Sequence, residues 1–304
     1  MKIFVLEISS SLMPSSQSIR FPKHNDDYGI EQDFMNFLSD NQEIVTTDPG
    51  QADWFYLPIY WTRWNLNNDY GKKNKDRLIY EIEKLKYPKE RTFTICQYAD
   101  GPGIPLEGVH VFLASRTKVK GHDAPLLCKP HNVDVWPFLG KFSKFFFKTA
   151  SSAEKKYKAS FRGRFLTHPI RKRMADEFKS NPNILFAEKS VSSKFFVKEL
   201  LQSEIALCPR GHGGNSFRFY EAMQLGVVPF LIGDIDTRPF KRQINWDNCS
   251  FYSKSIEEVK EIIEHVPSKR LKIMSQNAKK TFDTNLAFGK WCELLVKEIK
   301  ILEQ

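Results

Sequence analysis

A glycine-rich loop carries the densest group of chemically useful residues in the sequence. It runs from Pro209 to Asn215, follows the apolar stretch at residues 205–208 and precedes a helix predicted over 216–225. Glycines let the backbone approach a ligand closely, and the free amides at a helix N-terminus attract anions. The loop therefore predicts a phosphate-binding site.

Side chains around this loop suit a nucleotide diphosphate. Arg210 and Arg218 carry forked donors that match phosphate oxygens, and Asn215 or Ser216 can cap the helix. Glu221 can accept both hydroxyls of a ribose, as the acidic residue of dinucleotide sites does. The alternative is an ordinary strand-to-helix crossover whose glycines only make the turn. The combination with Ser216, Arg218 and Glu221 favours the binding site.

A second basic turn lies upstream of the glycine loop. Arg162 and Gly163 follow a predicted strand end, and Arg171 lies in the helix that comes next, with Thr167 as its expected cap. The positive charges flank the turn in the same way as those of the glycine loop. We therefore expect Arg162 and Arg171 to bind the same anion.

Strands and helices alternate along both halves of the chain. Continuous apolar runs predict strands, and 3.6-residue periodicity predicts helices between them. The predicted strands cover 2–8, 52–60, 92–97, 109–114, 183–187, 205–208 and 227–232. This pattern is typical of parallel sheets covered by helices on both faces.

The length of the chain predicts its number of domains, and its net charge predicts the type of partner. The 304 residues correspond to two domains at about 150 residues each. We predict an N-terminal domain over 1–145, a second over 146–285, joined near 135–158, and a C-terminal helix over 286–304 that packs back toward the first. The net charge of +10 predicts an anionic partner.

Several classes of protein and site are disfavoured. The five cysteines are far apart with no CxxC pair, which argues against a disulfide framework or a zinc ribbon. The histidines show no HxxH spacing, and no apolar run approaches the ~18 residues of a membrane-spanning helix. The pair Asp234 and Asp236 can hold Mg²⁺ in principle, but we expect no metal site there.

The segment from Leu207 to Asp234 resembles the exostosin-like glycosyltransferases of family 47. Their signature is a Pro-Arg-Gly loop, then Ser-x-Arg-x-x-Glu, then Gly-x-Val-Pro and an Asp. The matching residues are Pro209, Arg210, Gly211, Ser216, Arg218, Glu221, Gly226, Val228, Pro229 and Asp234. Residues 47–58 resemble the family's T-x-P-x-x-A-D-x-F-x-x-P stretch, and the resemblance extends from about residue 28 to 255.

The resemblance implies a GT-B fold, in which two Rossmann-like domains face each other across a cleft. The second domain would hold a nucleotide sugar, with UDP as the expected nucleotide, and the first would hold a glycan acceptor. Transfer would be inverting and would require neither a metal nor a further cofactor. The donor site would comprise Arg162, Gly163, Arg171, Pro209, Arg210, Gly211, Ser216, Arg218 and Glu221.

An inverting transfer needs a general base for the acceptor hydroxyl. Asp100, which follows the strand at 92–97, is the first candidate, and His122 with Asp123 is the second. An equally good account of Asp100 is that it caps the Asp-Gly-Pro-Gly turn. The acceptor would contact Tyr60, Trp61 and Arg63, although core packing explains Trp61 equally well.

Other functions explain fewer of these features. A nucleic-acid-binding protein would account for the charge, but the basic residues are scattered and no aromatic RNA-binding motif is present. A nicotinamide-dependent oxidoreductase would need GxGxxG after the first strand. A non-catalytic carbohydrate-binding protein remains an alternative. With no signal peptide or membrane anchor in view, we expect a soluble, cytoplasmic protein, encoded by a bacterium or a virus.

Overall fold

The fold was taken from a computed structural model. It describes residues 1–13, 29–117, 120–127, 154–287 and 289–302. Within these residues the chain divides into two compact units, each built on its own sheet. The predicted boundary between residues 145 and 146, and most of the predicted connection at 135–158, lie outside the described residues.

Unit 1 comprises residues 1–130, 237–240 and 288–304, and its described strands form a parallel sheet. The strands are β1 (Ile3–Val5), β2 (Val45–Thr46), β3 (Trp54–Tyr56), β4 (Thr92–Cys96), β5 (His110–Leu113) and β6 (His122–Asp123). Their order is β2-β1-β3-β4-β5-β6. The chain thus reverses its direction of winding between β1 and β3, which is where doubly wound sheets bind ligands.

Helices α1 (Ile30–Asp40), α2 (Trp61–Asn67) and α3 (Lys75–Glu83) belong to the same unit. An apolar stripe on α1 packs on the sheet, with Phe34 ring centroids 5.1 Å from Tyr56 and 5.7 Å from Phe93. The strand predicted over 52–60 is shorter than expected, because the chain leaves β3 before Pro58 and then enters α2. Proline cannot donate to a strand ladder.

The last helix, α9 (Lys290–Ile301), also belongs to unit 1. Its Trp291 is fully buried and lies 6.3 Å from the Phe34 ring, so the C-terminus completes the core over α1.

Unit 2 comprises residues 131–236 and 241–287. Its described strands are β7 (Tyr157–Arg162), β8 (Ile184–Ala187), β9 (Ser203–Pro209), β10 (Val228–Ile232) and β11 (Phe251–Ser253), all parallel in the order β11-β10-β9-β7-β8. The helices are α4 (Pro169–Phe178), α5 (Ser193–Leu201), α6 (Phe217–Gln224), α7 (Ile256–His265) and α8 (Ser268–Thr281), and α8 continues into a π-helical turn at Phe282–Leu286. Short 3₁₀ turns occupy Gln42–Ile44, Pro49–Gln51, Lys89–Arg91, Phe165–Thr167 and Trp246–Asn248.

The core of unit 2 lies between these strands and helices. Its buried members include Phe161, Ile205, Leu207 and Phe230 from the sheet. One predicted cap is wrong: His168, not Thr167, is the N-cap of α4, and its Nδ1 accepts the Ile170 amide at 3.3 Å. Thr167 lies in the preceding 3₁₀ turn.

Both sheets are parallel, and helices follow their strands in sequence. This confirms the predicted α/β class with two Rossmann-like domains, as in GT-B proteins. In the described ranges, the helices are too short or too polar to cross a lipid bilayer.

Candidate functional site

The glycine loop lies at the carboxyl end of β9, beside the end of β7. These two strands are neighbours in the sheet, although β8 lies between them in sequence. Winding reverses at this pair, so the loop occupies the position where Rossmann-like sheets hold ligands. The topology therefore brings Arg162 and Gly163, at the end of β7, to the same edge as Pro209 and Arg210.

The loop offers several backbone donors. Among the described residues, the amides of Gly211, His212 and Gly213 have no hydrogen-bond acceptor. Ser216 occupies the N-cap position of α6, where its amide donates to Oδ1 of Asn215 at 2.8 Å and its hydroxyl makes no cap bond. These free amides can bind an anion.

Glu221 lies on α6, beyond the loop, and its side chain is half-buried. In the part of the chain that the structure describes, its carboxylate makes no hydrogen bond or ion pair. Its charge acts on Arg218 and Cys208, and burial raises the pKa of the Cys208 thiol to about 12. The carboxylate thus has both oxygens available for a ligand.

Arg171 holds the loop in place. Its Nε donates to the Arg210 carbonyl at 2.9 Å, Nη2 to the Pro209 carbonyl at 3.0 Å and Nη1 to the Arg164 carbonyl at 3.0 Å. Burial, with the nearby charge of Arg218, lowers its pKa to about 10. A Cβ at Gly211 would lie 3.1 Å from Nη2, so a side chain there would crowd the Arg171 guanidinium. Arg171 therefore shapes the site by binding its backbone.

Arg162 is paired within the protein. Its Nε and Nη2 lie 2.5 and 2.6 Å from the carboxylate oxygens of Glu199 on α5, and Nη1 donates to the Lys189 carbonyl at 2.7 Å. Sequence reasoning did not identify Glu199. The available signal was an acidic residue among the apolar residues of the helix 193–201.

Arg218 lies between two aromatic rings. Its guanidinium carbon is 4.7 Å from the centroid of Phe161 and 5.1 Å from that of Phe196. Nη2 donates to the Arg162 carbonyl, and burial lowers the arginine pKa. The side chain thereby ties the start of α6 to the end of β7.

Arg210 is buried and forms an ion pair with Asp234 through Nη1. Nη2 lies 3.4 Å from the His212 carbonyl, and the buried Nε has no partner among the described residues. Asp236 pairs with Lys241 at 3.2 Å. Both carboxylates of the Asp234-Ile235-Asp236 segment thus face protein cations, and no metal-ligating cluster occurs within the described ranges.

The predicted arginines therefore meet at one edge of the sheet, but each guanidinium also has protein partners. Arg171 binds the loop backbone, whereas Arg162 and Arg210 form ion pairs with Glu199 and Asp234. Direct contact of Arg162, Arg171, Arg210 or Arg218 with a diphosphate stays a prediction.

The predicted acceptor residues lie at the carboxyl end of β3 in unit 1. Trp61 is fully buried, and its Nε1 donates to Thr94 Oγ1 at 2.8 Å. Its role is therefore in the core, in place of the predicted contact with an acceptor. Tyr60 and Arg63 are 7% and 3% exposed, with the guanidinium carbon 5.1 Å from the Tyr60 ring centroid. Arg63 also donates to Oε1 of Gln32.

The predicted bases have different surroundings. Asp100 is exposed in the turn after β4. Asp123 forms an ion pair with Arg116, at 2.8 and 2.9 Å. His122 Nε2 lies 3.2 Å from His110 Nδ1, and the His122 ring lies 4.9 Å from the Phe112 ring centroid. The His122 and Asp123 side chains are thus engaged at the sheet edge, and the Asp100 carboxylate is the more accessible.

Two buried acids of α1 were missed from the sequence. Glu31 and Asp33 are 2% and 3% exposed, and burial is the main cause that raises the pKa of each to about 7. A signal existed, because Glu31 shares the helix face of Phe34 and Leu38 at intervals of three and four residues. Acidic side chains are rarely fully buried, so an acidic residue within an apolar helix stripe indicates a specific interaction in the folded protein.

The sequence is similar to a known protein family and to several named proteins. Residues 124–266 match the family model of the exostosin GT47 domain. The probable glucuronoxylan glucuronosyltransferase IRX7 of Arabidopsis thaliana is 24% identical over 279 residues, which cover 79% of this chain and 61% of that protein. Exostosin-1 of Drosophila melanogaster is 31% identical over 86 residues, covering 27% and 11% of the two chains.

Among solved structures, the chain is similar to AviGT4, a glycosyltransferase involved in avilamycin A biosynthesis, with 13% identity, a TM-score of 0.35 and coverage of 99% and 97%. The chain spans about three fifths of the length of IRX7. The matched family model and the relatives show that the chain is similar to the exostosin-like glycosyltransferases of family 47.

Proposed function

We propose that the chain transfers a sugar from a UDP-sugar to a hydroxyl of a glycan, with inversion and without a metal. The observation that carries this proposal is the free Glu221 carboxylate beside a loop of free amides. A ribose and a diphosphate together need both kinds of group. The similarity to the exostosin GT47 domain supports the reaction class.

Each part of the donor has a matching group in unit 2. Both oxygens of Glu221 can accept ribose hydroxyls. The amides of Gly211, His212 and Gly213 can donate to the diphosphate, where negative charge grows as the sugar leaves. Because Arg171 binds the Arg210 carbonyl, which shares a peptide group with the Gly211 amide, that amide need not reorganise during the reaction.

The sugar and the acceptor are proposed from the relatives. IRX7 is named as a probable glucuronosyltransferase. UDP-glucuronic acid is therefore the first donor to test, with UDP-xylose, UDP-galactose and UDP-N-acetylglucosamine beside it. Unit 1, which carries Tyr60 and Arg63 at the end of β3, would bind the acceptor glycan.

The test is calorimetric titration of the full chain with UDP and this panel of donors. We expect Glu221→Ala to weaken UDP binding at least tenfold, because two hydrogen bonds to a charged group are lost. Gln224→Ala, three residues further along the same helix, serves as the control and should bind UDP as the wild type does. Equal UDP affinity of Glu221→Ala and wild type would remove Glu221 from the site, and a wild-type chain that binds neither UDP nor any UDP-sugar would contradict the proposed function.

A further inference from the structure

We propose that His168 binds the β-phosphate of UDP and of the UDP-sugar through its Nε2–H. This inference rests on the proposed function and adds to the donor site a residue outside the signature that the sequence matches. It is carried by the tautomer of the ring, by the place of the ring beside the glycine loop, and by the unused hydrogen-bond donors gathered there.

The hydrogen bonding of the His168 ring fixes which nitrogen carries the proton. Nδ1 accepts the Ile170 amide at 3.3 Å, because His168 is the N-cap residue of α4. A ring nitrogen that accepts has no proton, so Nε2 of the neutral ring is the N–H donor. The ring is half-buried, and no described residue accepts a hydrogen bond from Nε2. The folded protein thus leaves one donor of this ring unused.

The start of α4 lies against the start of the glycine loop. Arg171, in the first turn of this helix, binds two carbonyls of the loop. Thr167 has its Oγ1 3.8 Å from the position that a Cβ on Gly211 would take. Because His168 lies between Thr167 and Arg171 in the chain, its ring belongs to the same edge of unit 2 as the free loop amides.

The charges that act on the ring agree with this location. They belong to Arg210 and Asp234, which follow β9 and β10, and to Arg171 and Arg173 of α4. Burial, and then the charge of Arg210, lower the pKa of His168 below its usual value, so the ring is neutral at pH 7. A neutral ring keeps Nδ1 free to accept, as the N-cap bond requires.

Hydrogen-bond donors without acceptors gather beside this ring. The three free loop amides and the buried Nε of Arg210 have no acceptor among the described residues. The carboxylate of Asp234 forms an ion pair with Arg210 through Nη1. A phosphate presents acceptor oxygens on every side, so it is the kind of group that satisfies several donors at once.

The order of groups along the loop selects the phosphate. The ribose is assigned to Glu221, which lies on α6 after the loop ends. The ring of His168 neighbours Arg210, where the loop begins. A diphosphate that extends from the ribose along the loop therefore has its α-phosphate nearer α6 and its β-phosphate nearer His168.

The same contact serves the reaction. When the bond from the anomeric carbon to the β-phosphate oxygen breaks, its electron pair stays on that oxygen. The Nε2–H of His168 stabilises the added charge by hydrogen bonding and keeps its proton.

The experiment is calorimetric titration of the full chain with UDP and with UMP, which lacks the β-phosphate. His168→Asn keeps a favoured N-cap side chain and removes the Nε2 donor. We expect UDP affinity to fall about tenfold, because a hydrogen bond to a charged group is lost, with UMP affinity and the melting temperature unchanged. His265→Asn, at an exposed histidine of α7, is the matched control and should bind both nucleotides as the wild type does.

A second variant separates ligand binding from helix capping. Gln carries an N–H donor at its tip but is not a favoured N-cap residue. We therefore expect His168→Gln to lower the melting temperature while it binds UDP more tightly than His168→Asn does. A residue that acts only as a cap would give the opposite order of UDP affinities.

Three results would overturn the proposal. They are UDP affinity of His168→Asn within about twofold of wild type, an equal loss of affinity for UMP and UDP, and weaker UDP binding by His168→Gln than by His168→Asn. A wild-type chain that binds neither UDP nor any UDP-sugar would instead contradict the proposed function.

Discussion

The guanidinium of Arg162 and the carboxylate of Glu199 form a two-pronged ion pair, with N···O distances of 2.5 and 2.6 Å. The side chains are 13% and 11% exposed. The pair joins the end of β7 to α5, next to the glycine loop. An arginine that looked like a phosphate ligand in the sequence thus has a buried counter-ion of its own.

Removing this counter-ion should destabilise unit 2. We expect Glu199→Gln to lower the free energy of unfolding by about 2–4 kcal/mol, because it leaves a largely buried charge without its partner. Urea unfolding followed by circular dichroism measures the change. Glu177→Gln breaks a more exposed pair with Lys260 and should leave the free energy of unfolding almost unchanged, because solvent screens exposed charges. Equal effects of the two substitutions would contradict the structural role of the Arg162 pair.

Arg171 should affect nucleotide binding through the shape of the glycine loop. A lysine cannot span the three carbonyls of Pro209, Arg210 and Arg164 that the guanidinium binds. We expect Arg171→Lys to lower the melting temperature and to weaken UDP binding about tenfold by calorimetry. Lys172→Ala, at the exposed neighbouring position, should change neither quantity. Normal UDP affinity in Arg171→Lys would show that the loop holds its shape without these bonds.

The buried Asp33 should make stability depend on pH. Its pKa is raised by burial, and further by Glu31, from 3.8 to about 7, so the folded state holds the proton more tightly than the unfolded chain. This contribution is fully present below pH 3.8 and is lost as the pH rises toward and through about 7. The side chain in Asp33→Asn cannot ionise. We expect the free energy of unfolding of this variant at pH 8 to exceed that of the wild type by a few kcal/mol, since each unit between the two pKa values corresponds to about 1.4 kcal/mol. Urea unfolding at pH 4, 6 and 8 gives the comparison, and a wild-type advantage at pH 8 would contradict it.

Chelation should leave the transfer intact. Asp234 forms an ion pair with Arg210, and Asp236 forms one with Lys241. Each carboxylate thus already has a positively charged partner within the protein. We expect UDP release from the preferred UDP-sugar to proceed at the same rate in excess EDTA. Loss of turnover with rescue by Mn²⁺ would instead make these two aspartates metal ligands.

Much of the framework was predictable because it depends on local patterns. Apolar runs predicted most of the strands, and the glycine loop was correctly assigned to the junction of β9 and α6. The strand order was not available from these patterns. Because the order makes β7 and β9 neighbours, it is what brings Arg162 and Pro209 to one edge.

The partners of charged residues were harder to predict. The sequence shows that Arg162 is basic and follows a strand, but Glu199 lies 37 residues away and meets it only through α5. The same holds for Glu31, whose donors Thr62 and Gln97 follow two different strands. Such contacts depend on tertiary packing, whereas helix periodicity alone marked Glu31 as an acid on an apolar face.

The return of α9 to unit 1 has a consequence for biosynthesis. Trp291 packs in the core beside Phe34, yet it leaves the ribosome after every described strand of unit 2. The described strands of unit 2 are synthesised earlier, so the second domain can finish folding while the first still exposes an unfilled apolar face. We therefore expect nascent chains that end before residue 288 to be the ones that engage chaperones through unit 1, even though most of that unit was translated first.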